Sequence, residues 1–290
     1  MLLAVLSIIW GSSFILMKKA MFDEVGMPIY SAEQVASLRI FIASLCLLPF
    51  AVPHLKLLRS KYAPFMLISG LIGTTIPAFL FTEAQQVIDS ALAGMLNSLT
   101  PLFTFILGVT IFRVSFDKRG LLGVLIGLVG AAGLVFYNNN GPLSLSSHAL
   151  LIVLATSFYG ISINTVKTYL SDIPSLTISA LSLVMVSPMT GIYAWASGAF
   201  TVMTHHESGL QGLAYISTLA LFSTAVGLLL FNQLIKRESA LFSSSVTYFI
   251  PITAILWGLM DGESLQVMQF LFIGLILLGV WIVNRIRYRV

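Results

Sequence analysis

The chain is a succession of apolar runs, each about the length of a membrane crossing, separated by short loops. A crossing helix needs about 20 mostly apolar residues. Hydrocarbon offers no partner for free backbone N–H and C=O groups, so such runs read as helices rather than strands. Ten stretches qualify, at roughly 2–21, 32–52, 63–84, 90–112, 119–137, 148–168, 175–196, 211–234, 240–260 and 265–285. The sequence therefore predicts an all-α integral membrane protein with ten transmembrane helices and no soluble domain. Composition agrees, because 58% of residues are hydrophobic and only 9% charged. Soluble domains carry about 25% charged residues, and this chain has too few to cover a water-facing surface.

The basic residues predict an orientation. With the N-terminus inside, Lys56, Arg59, Lys61, Arg113, Lys118, Arg119, Lys167, Lys236, Arg237, Arg285, Arg287 and Arg289 are all cytoplasmic, which is 12 of the 15 Lys and Arg. Positive-inside bias then places both termini in the cytoplasm of a cell (inner) membrane, as expected of a multi-pass protein. Lys18 and Lys19 fall on the other side and disagree with it locally. Basic clusters of this kind fix topology, and no nucleic-acid partner is expected; lipid and a small-molecule substrate are, with the chain a monomer or homodimer. Cys46 lies within an apolar run and reads as a small packing residue. The opening run has its lysines after the apolar stretch, so no cleavable signal is expected.

Sliding the chain by 149 residues lays "WGSSFILMKKAMFD" over "YGISINTVKTYLSD". Trp10 meets Tyr159, Gly11 meets Gly160, Ser13 meets Ser162 and Lys18 meets Lys167. The same shift lays "DSAL" on "ESAL", and one residue further on Pro101 meets Pro251. The halves 1–140 and 141–290 thus read as repeats of five helices each. Five is odd, so the second repeat enters from the opposite side and the two are inverted. Inverted repeats around a midplane site are a recurring plan of secondary transporters.

The stretches "WGSSFILMKKA", "ASLRIFIASLCLLP", "SALAGMLNSLTPLFTFILG" and "ESALFSSSVTYFIPITAILWGLMDGESLQ" resemble EamA-type transporters of the drug/metabolite transporter superfamily, across both repeats. The resemblance implies ten helices, cytoplasmic ends, and a central cavity built by helices 1–4 and 6–9, with helices 5 and 10 peripheral. It also implies export or exchange of small metabolites, amino acids among them. One departure stands out: Gly262-Glu263 before helix 10 has no counterpart in the first repeat, where Val114 occupies the Glu position. A role in linking helix ends carries only onto Glu263, read as structural.

Ionisable groups inside spans are functional candidates. The histidines and acids all fall in loops or near helix ends, so no midplane carboxylate relay is visible. Arg39 is the exception, about 10–12 Å along helix 2. It either faces the cavity as a donor to a carboxylate-bearing substrate, or snorkels to headgroups or pairs with Glu33 or Glu83 in a gate; its depth favours the latter. Asn97, Ser98 and Thr100 precede Pro101, and Ser243 to Ser245 and Thr247 precede Tyr248 and Pro251. These groups either support a proline kink or line a midplane cavity. Trp10 with Ser13, and Tyr159 with Ser162 and Asn164, sit deep enough to line that cavity or to pack helices. Asn232 and Gln233 read as caps near the end of helix 8, and Lys18 as a snorkelling side chain. Gly11 and Gly160 allow close helix approach.

The cavity candidates are therefore Trp10, Ser13, Arg39, Asn97, Thr100, Tyr159, Asn164, Ser244 and Tyr248. Gly11, Gly160, Pro101, Pro251, Glu83 and Glu263 are structural or gating candidates. No cofactor or metal is expected, and no convergent Asp pair, Ser-His set or zinc motif points to an enzyme. A channel has no filter-like loop here. The expectation is a secondary transporter, an exporter of small amino acids or related zwitterions working by alternating access, with exchange of other metabolites or drugs as the alternative.

Overall fold

The computed structural model describes residues 2–114, 118–138, 141–142 and 147–285. Arg287, Arg289 and the proposed repeat boundary at Asn140 lie outside the described residues. Among the described residues the fold is helical apart from a two-residue antiparallel pairing of Tyr137–Asn138 with Gly141–Pro142 and an isolated antiparallel bridge between Phe22 and Pro28. Among the described residues, eight helices are long and apolar enough to cross a membrane. We label them with two further helices in chain order: α1 (Leu2–Met21), α2 (Ala32–Arg59), α3 (Ala63–Ala84), α4 (Ser90–Thr110), α5 (Lys118–Phe136), α6 (Ser147–Tyr169), α7 (Ser175–Ala196), α8 (Gly209–Arg237), α9 (Ala240–Met260) and α10 (Val267–Arg285). The α5 and α10 helices are the two outside the eight.

The packing pattern is simple. Helix α1 packs on α9 and α8, and α6 packs on α4 and α3; α2 packs on α7 and α8, and α7 on α2 and α3. Helices α5 and α10 pack chiefly on each other. Large apolar side chains such as Ile192, Trp195, Leu256 and Met260 face outward, whereas Thr82, Ser90, Thr156 and Ser179 are buried. That inversion of a soluble protein's pattern suits lipid, where small and hydroxylated residues sit between helices. Cys46 is on the exposed side of α2 and is not a packing residue, correcting the expectation drawn from its apolar neighbours.

Gly11 and Gly160 each sit at a close crossing. A methyl group at Gly11 would run into Thr253 of α9, and one at Gly160 would lie 2.9 Å from the Phe103–Thr104 backbone of α4. Only a residue without Cβ permits either approach.

Four of the helices are interrupted where they pass the centre. Helices α3 and α8 each carry a π-helical segment, Leu71–Thr75 and Leu219–Val226. Helix α4 breaks between Asn97 and Thr100, ahead of Pro101, and α9 tightens to a 3-10 turn at Ser245–Tyr248, ahead of Pro251. Nearby hydroxyls bond the local carbonyls: Thr100 Oγ1 donates to Asn97 O at 2.8 Å and Thr247 Oγ1 to Ser244 O at 2.9 Å. In α3, Thr74 and Thr75 donate to Ser69 O and Gly70 O, five residues back, at 3.2 and 2.9 Å. Breaks of this kind persist at membrane depth only where the backbone is satisfied or lines a cavity.

Candidate functional site

Around these breaks lies a cavity of about 110 Å³. Its wall is drawn from α1, α2, α3, α4, α6, α8 and α9, and most of it is apolar: Phe14, Met17, Phe81, Ile163, Leu228 and Phe231 all contribute. Phe14 and Phe81 lie 5.7 Å apart, and Phe81 stacks on Tyr159 with centroids 6.0 Å apart. These rings form one continuous aromatic face.

The polar part is spread over several helices, and two of its contacts converge on α8. Trp10 Nε1 donates to the Ser223 carbonyl at 2.9 Å, and the ring meets Phe231 edge-on at 4.9 Å. One residue on, Thr224 Oγ1 accepts from Arg39 Nε at 2.7 Å. Arg39 Nη1 also points at Met17 Sδ, at 3.5 Å. Two successive residues of the α8 π-segment therefore hold both the cavity's indole and its guanidinium. Sequence logic locates α2 firmly enough to aim Arg39 there. Ser31 and Gln34 form a reciprocal capping box at its start, and Gln34 Nε2 donates to Ser197 O at the end of α7, at 2.7 Å.

Arg39 thus faces the cavity. It neither snorkels to the headgroups nor pairs with Glu33 or Glu83, which corrects the reading its depth favoured. Glu83 instead accepts from Gln86 Nε2 at 2.6 Å, near the end of α3. Among the described residues Arg39 makes no ion pair, and no Asp or Glu lines the cavity. Arginine stays charged at any accessible pH, so the chamber carries an unbalanced positive charge.

Of the sequence candidates, Trp10, Ser13, Arg39, Asn97, Thr100 and Tyr159 come together on this wall. Asn164, Ser244 and Tyr248 do not line it. Asn164 Nδ2 clamps α6 to α4, donating to Thr104 O at 2.9 Å and Gly160 O at 2.8 Å. Ser244 is buried and donates to Leu241 O at 2.7 Å, within its own helix. Asn232 is a buried tie from α8 to Ser179 of α7, at 2.8 Å, rather than an interfacial cap. The cavity residues that sequence reasoning missed include Gly73, Thr74, Ser223 and Thr224. A signal existed: Thr74-Thr75 and Ser223-Thr224 stand 149 residues apart, the repeat shift itself.

At the end of the bundle where α1 finishes, a second polar cluster closes the structure. Lys18 Nζ lies 2.7 Å from Asp261 Oδ2 and 3.0 Å from Glu263 Oε1, and Lys19 Nζ lies 3.0 Å from Asp261 Oδ1. Lys18 is therefore paired, not snorkelling. The Glu263 carboxylate also accepts the Ser90 and Ala91 backbone N–H groups, both at 3.0 Å, and so caps α4. Among the described residues the corresponding Lys167 has no carboxylate partner. Its ammonium donates to the carbonyls of Ile235 and Glu238 at 3.1 and 2.6 Å.

A bundle of apolar helices broken around a central chamber with one fixed cation is the architecture of a membrane transporter. The profile of the EamA-like transporter family matches residues 1–136 and again 146–285. The chain belongs to that family. It is 26% identical to the "Uncharacterized inner membrane transporter YedA" of Escherichia coli K12, covering 98% of this chain and 89% of that one. It is 24% identical to an "Uncharacterized transporter" of Archaeoglobus fulgidus, covering 96% and 95%. It is 23% identical to a "Probable amino-acid metabolite efflux pump" of Salmonella typhimurium, covering 98% and 93%. A crystal structure superposes with a TM-score of 0.62 at 14% identity, over 98% of this chain and 95% of that one, which establishes a shared fold.

Proposed function

We propose that the chain is a secondary transporter that exports small carboxylate-bearing metabolites by alternating access through the chamber at Arg39. Amino acids and related zwitterions are the class the sequence favours, and the name of the Salmonella relative supports it. Lys118–Phe136 and Val267–Arg285 are taken as the fifth and tenth crossings, giving inverted five-helix repeats 1–140 and 141–290. Three observations support that plan. The family profile matches twice. The π-segments of α3 and α8 stand at the repeat shift. The chief packings, α1 on α9 and α8 and α2 on α8, have their exchanged partners in α6 on α4 and α3 and α7 on α3. The distribution of Lys and Arg supports cytoplasmic termini and an inner-membrane location.

The observation that carries the functional reading is the guanidinium of Arg39 in the chamber, held by Thr224 and Met17 and, among the described residues, paired with no acid. Proteoliposomes loaded with a labelled carboxylate panel test it. Saturable flux with counterflow is expected from the native protein, together with loss of flux in Arg39→Ala at unchanged expression and thermal stability. Unchanged kinetics in Arg39→Ala would sink the substrate role, and a non-saturating conductance would sink the carrier.

A further inference from the structure

The chamber's charge balance discriminates between carboxylates. A guanidinium has five N–H donors. Nε is engaged by Thr224 at 2.7 Å and one Nη1 hydrogen faces Met17 Sδ at 3.5 Å. The remaining terminal N–H groups form the two-pronged edge that matches a carboxylate. An ammonium group meets only neutral partners on this wall, such as the Asn97 amide, the Tyr159 hydroxyl and the ring faces. Among the described residues, no Asp or Glu lines the chamber, and the Thr100 hydroxyl is committed to the Asn97 carbonyl at 2.8 Å. Beyond Arg39 the wall is chiefly Trp10, Phe14, Phe81, Ile163, Leu228 and Phe231.

The carboxylate of a zwitterion also meets Arg39, but its ammonium group then leaves one net positive charge that no acid of the wall balances, with its own hydration removed. Both effects oppose binding in a chamber of low polarity. A monoanion instead neutralises Arg39 and leaves its apolar body against the aromatic face. We propose that the preferred cargo is a small monocarboxylate anion with an apolar body, the chemical class of 2-oxo acids and aryl or branched-chain carboxylic acids, over the amino acid of the same skeleton. The inference rests on Arg39 as the carboxylate-binding group and narrows the class above.

Matched pairs isolate the ammonium: 4-methyl-2-oxopentanoate against leucine, and phenylpyruvate against phenylalanine. Initial uptake into proteoliposomes at pH 7 and equal subsaturating concentration is expected to favour the oxo acid about ten-fold in each pair, with both oxo acids lost in Arg39→Gln. Asn97→Asp places a carboxylate on the chamber wall and is expected to shift the ratio toward the amino acid. Amino-acid flux equal to or above that of the oxo acid, still dependent on Arg39, overturns the preference and leaves the carboxylate site standing. Flux of neither, or flux indifferent to Arg39→Gln, overturns the carboxylate site and the preference with it. The native comparison needs no variant to fold.

Discussion

Lys18 in the first helix and Glu263 in the loop before the last are separated by 245 residues and by 3.0 Å. Glu263 is the hub of this end of the bundle, its side chain only 2% exposed, and it holds Lys18 and the first two N–H groups of α4 together. Removing a helix cap costs about 1 kcal/mol, and stranding buried donors adds 1–3 kcal/mol more. Glu263→Ala is therefore expected to destabilise by about 2–4 kcal/mol, nothing being added for the Lys18 pair because that side chain is partly exposed. Glu263→Gln keeps acceptors for part of the cap and should fall between the two. Thermal unfolding in detergent measures this, and an alanine variant as stable as the native protein would remove the hub.

Two aspartates beside that hub titrate in opposite senses. Burial raises the Asp89 carboxyl above its usual 3.8, and the Glu263 charge adds to this against the opposing Lys18. A group whose pKa is higher folded than unfolded contributes stability only below its unfolded pKa, and loses it as pH rises through the folded one. Asp89→Asn should thus raise the unfolding temperature at pH 7, with the gain shrinking toward pH 3. For Asp261, burial works upward but is outweighed by the hydrogen bonds and charges of Lys18 and Lys19, so its carboxyl lies below 3.8. Its contribution is complete above the unfolded pKa and lost as pH falls through the folded one. Asp261→Asn should be less stable than the native protein at pH 7 and converge with it in acid. Matching pH profiles for the two variants would contradict the opposite signs.

Much of this architecture was legible because membrane crossing imposes a length and a composition on every helix. The same 149-residue shift that pairs Trp10 with Tyr159 brought two real cavity residues forward. Arg39 was visible as a charge in an apolar run, but its direction was not, since depth alone leaves snorkelling open. Asn164 and Ser244 were misplaced for a related reason: an amide or hydroxyl near a helix break can spend itself on a backbone carbonyl, as both do. Glu263 caps a helix 172 residues away, and no local pattern announces such a partner. The π-segments have no composition of their own; the repeat shift aligns Thr74-Thr75 with Ser223-Thr224, but only the fold puts Thr224 beside Arg39.

The close crossings at Gly11 and Gly160 predict a graded steric response. At Gly160 the obstacle is the α4 backbone, which cannot rotate away as a side chain can. Gly160→Ala should cost about 1–3 kcal/mol, the range of overpacking in a filled interior. Gly274, on α10, has nothing within 4 Å of an added methyl, so Gly274→Ala should be neutral or slightly stabilising. Unfolding temperatures of the pair check the contrast. Equal effects would mean that the α6–α4 crossing is not held as tightly as the structure has it.

Thr224 provides the sharpest test of how the chamber is organised. Its hydroxyl accepts from Arg39 Nε at 2.7 Å, and the adjacent Ser223 carbonyl accepts from Trp10. Thr224→Val preserves shape and the π-segment but leaves Nε without its acceptor. Hydrogen bonds to charged groups contribute about 1.5–3 kcal/mol, so a guanidinium freed to rotate should raise KM for a carboxylate cargo by about ten-fold or more. Because the hydroxyl acts through Arg39, the maximal rate should change little. Thr224→Ser restores the acceptor and should return KM close to its native value. Initial uptake rates over a concentration series, with thermal unfolding of each variant, separate this from a folding defect. A valine variant with native KM would show that Arg39 is held in place without Thr224.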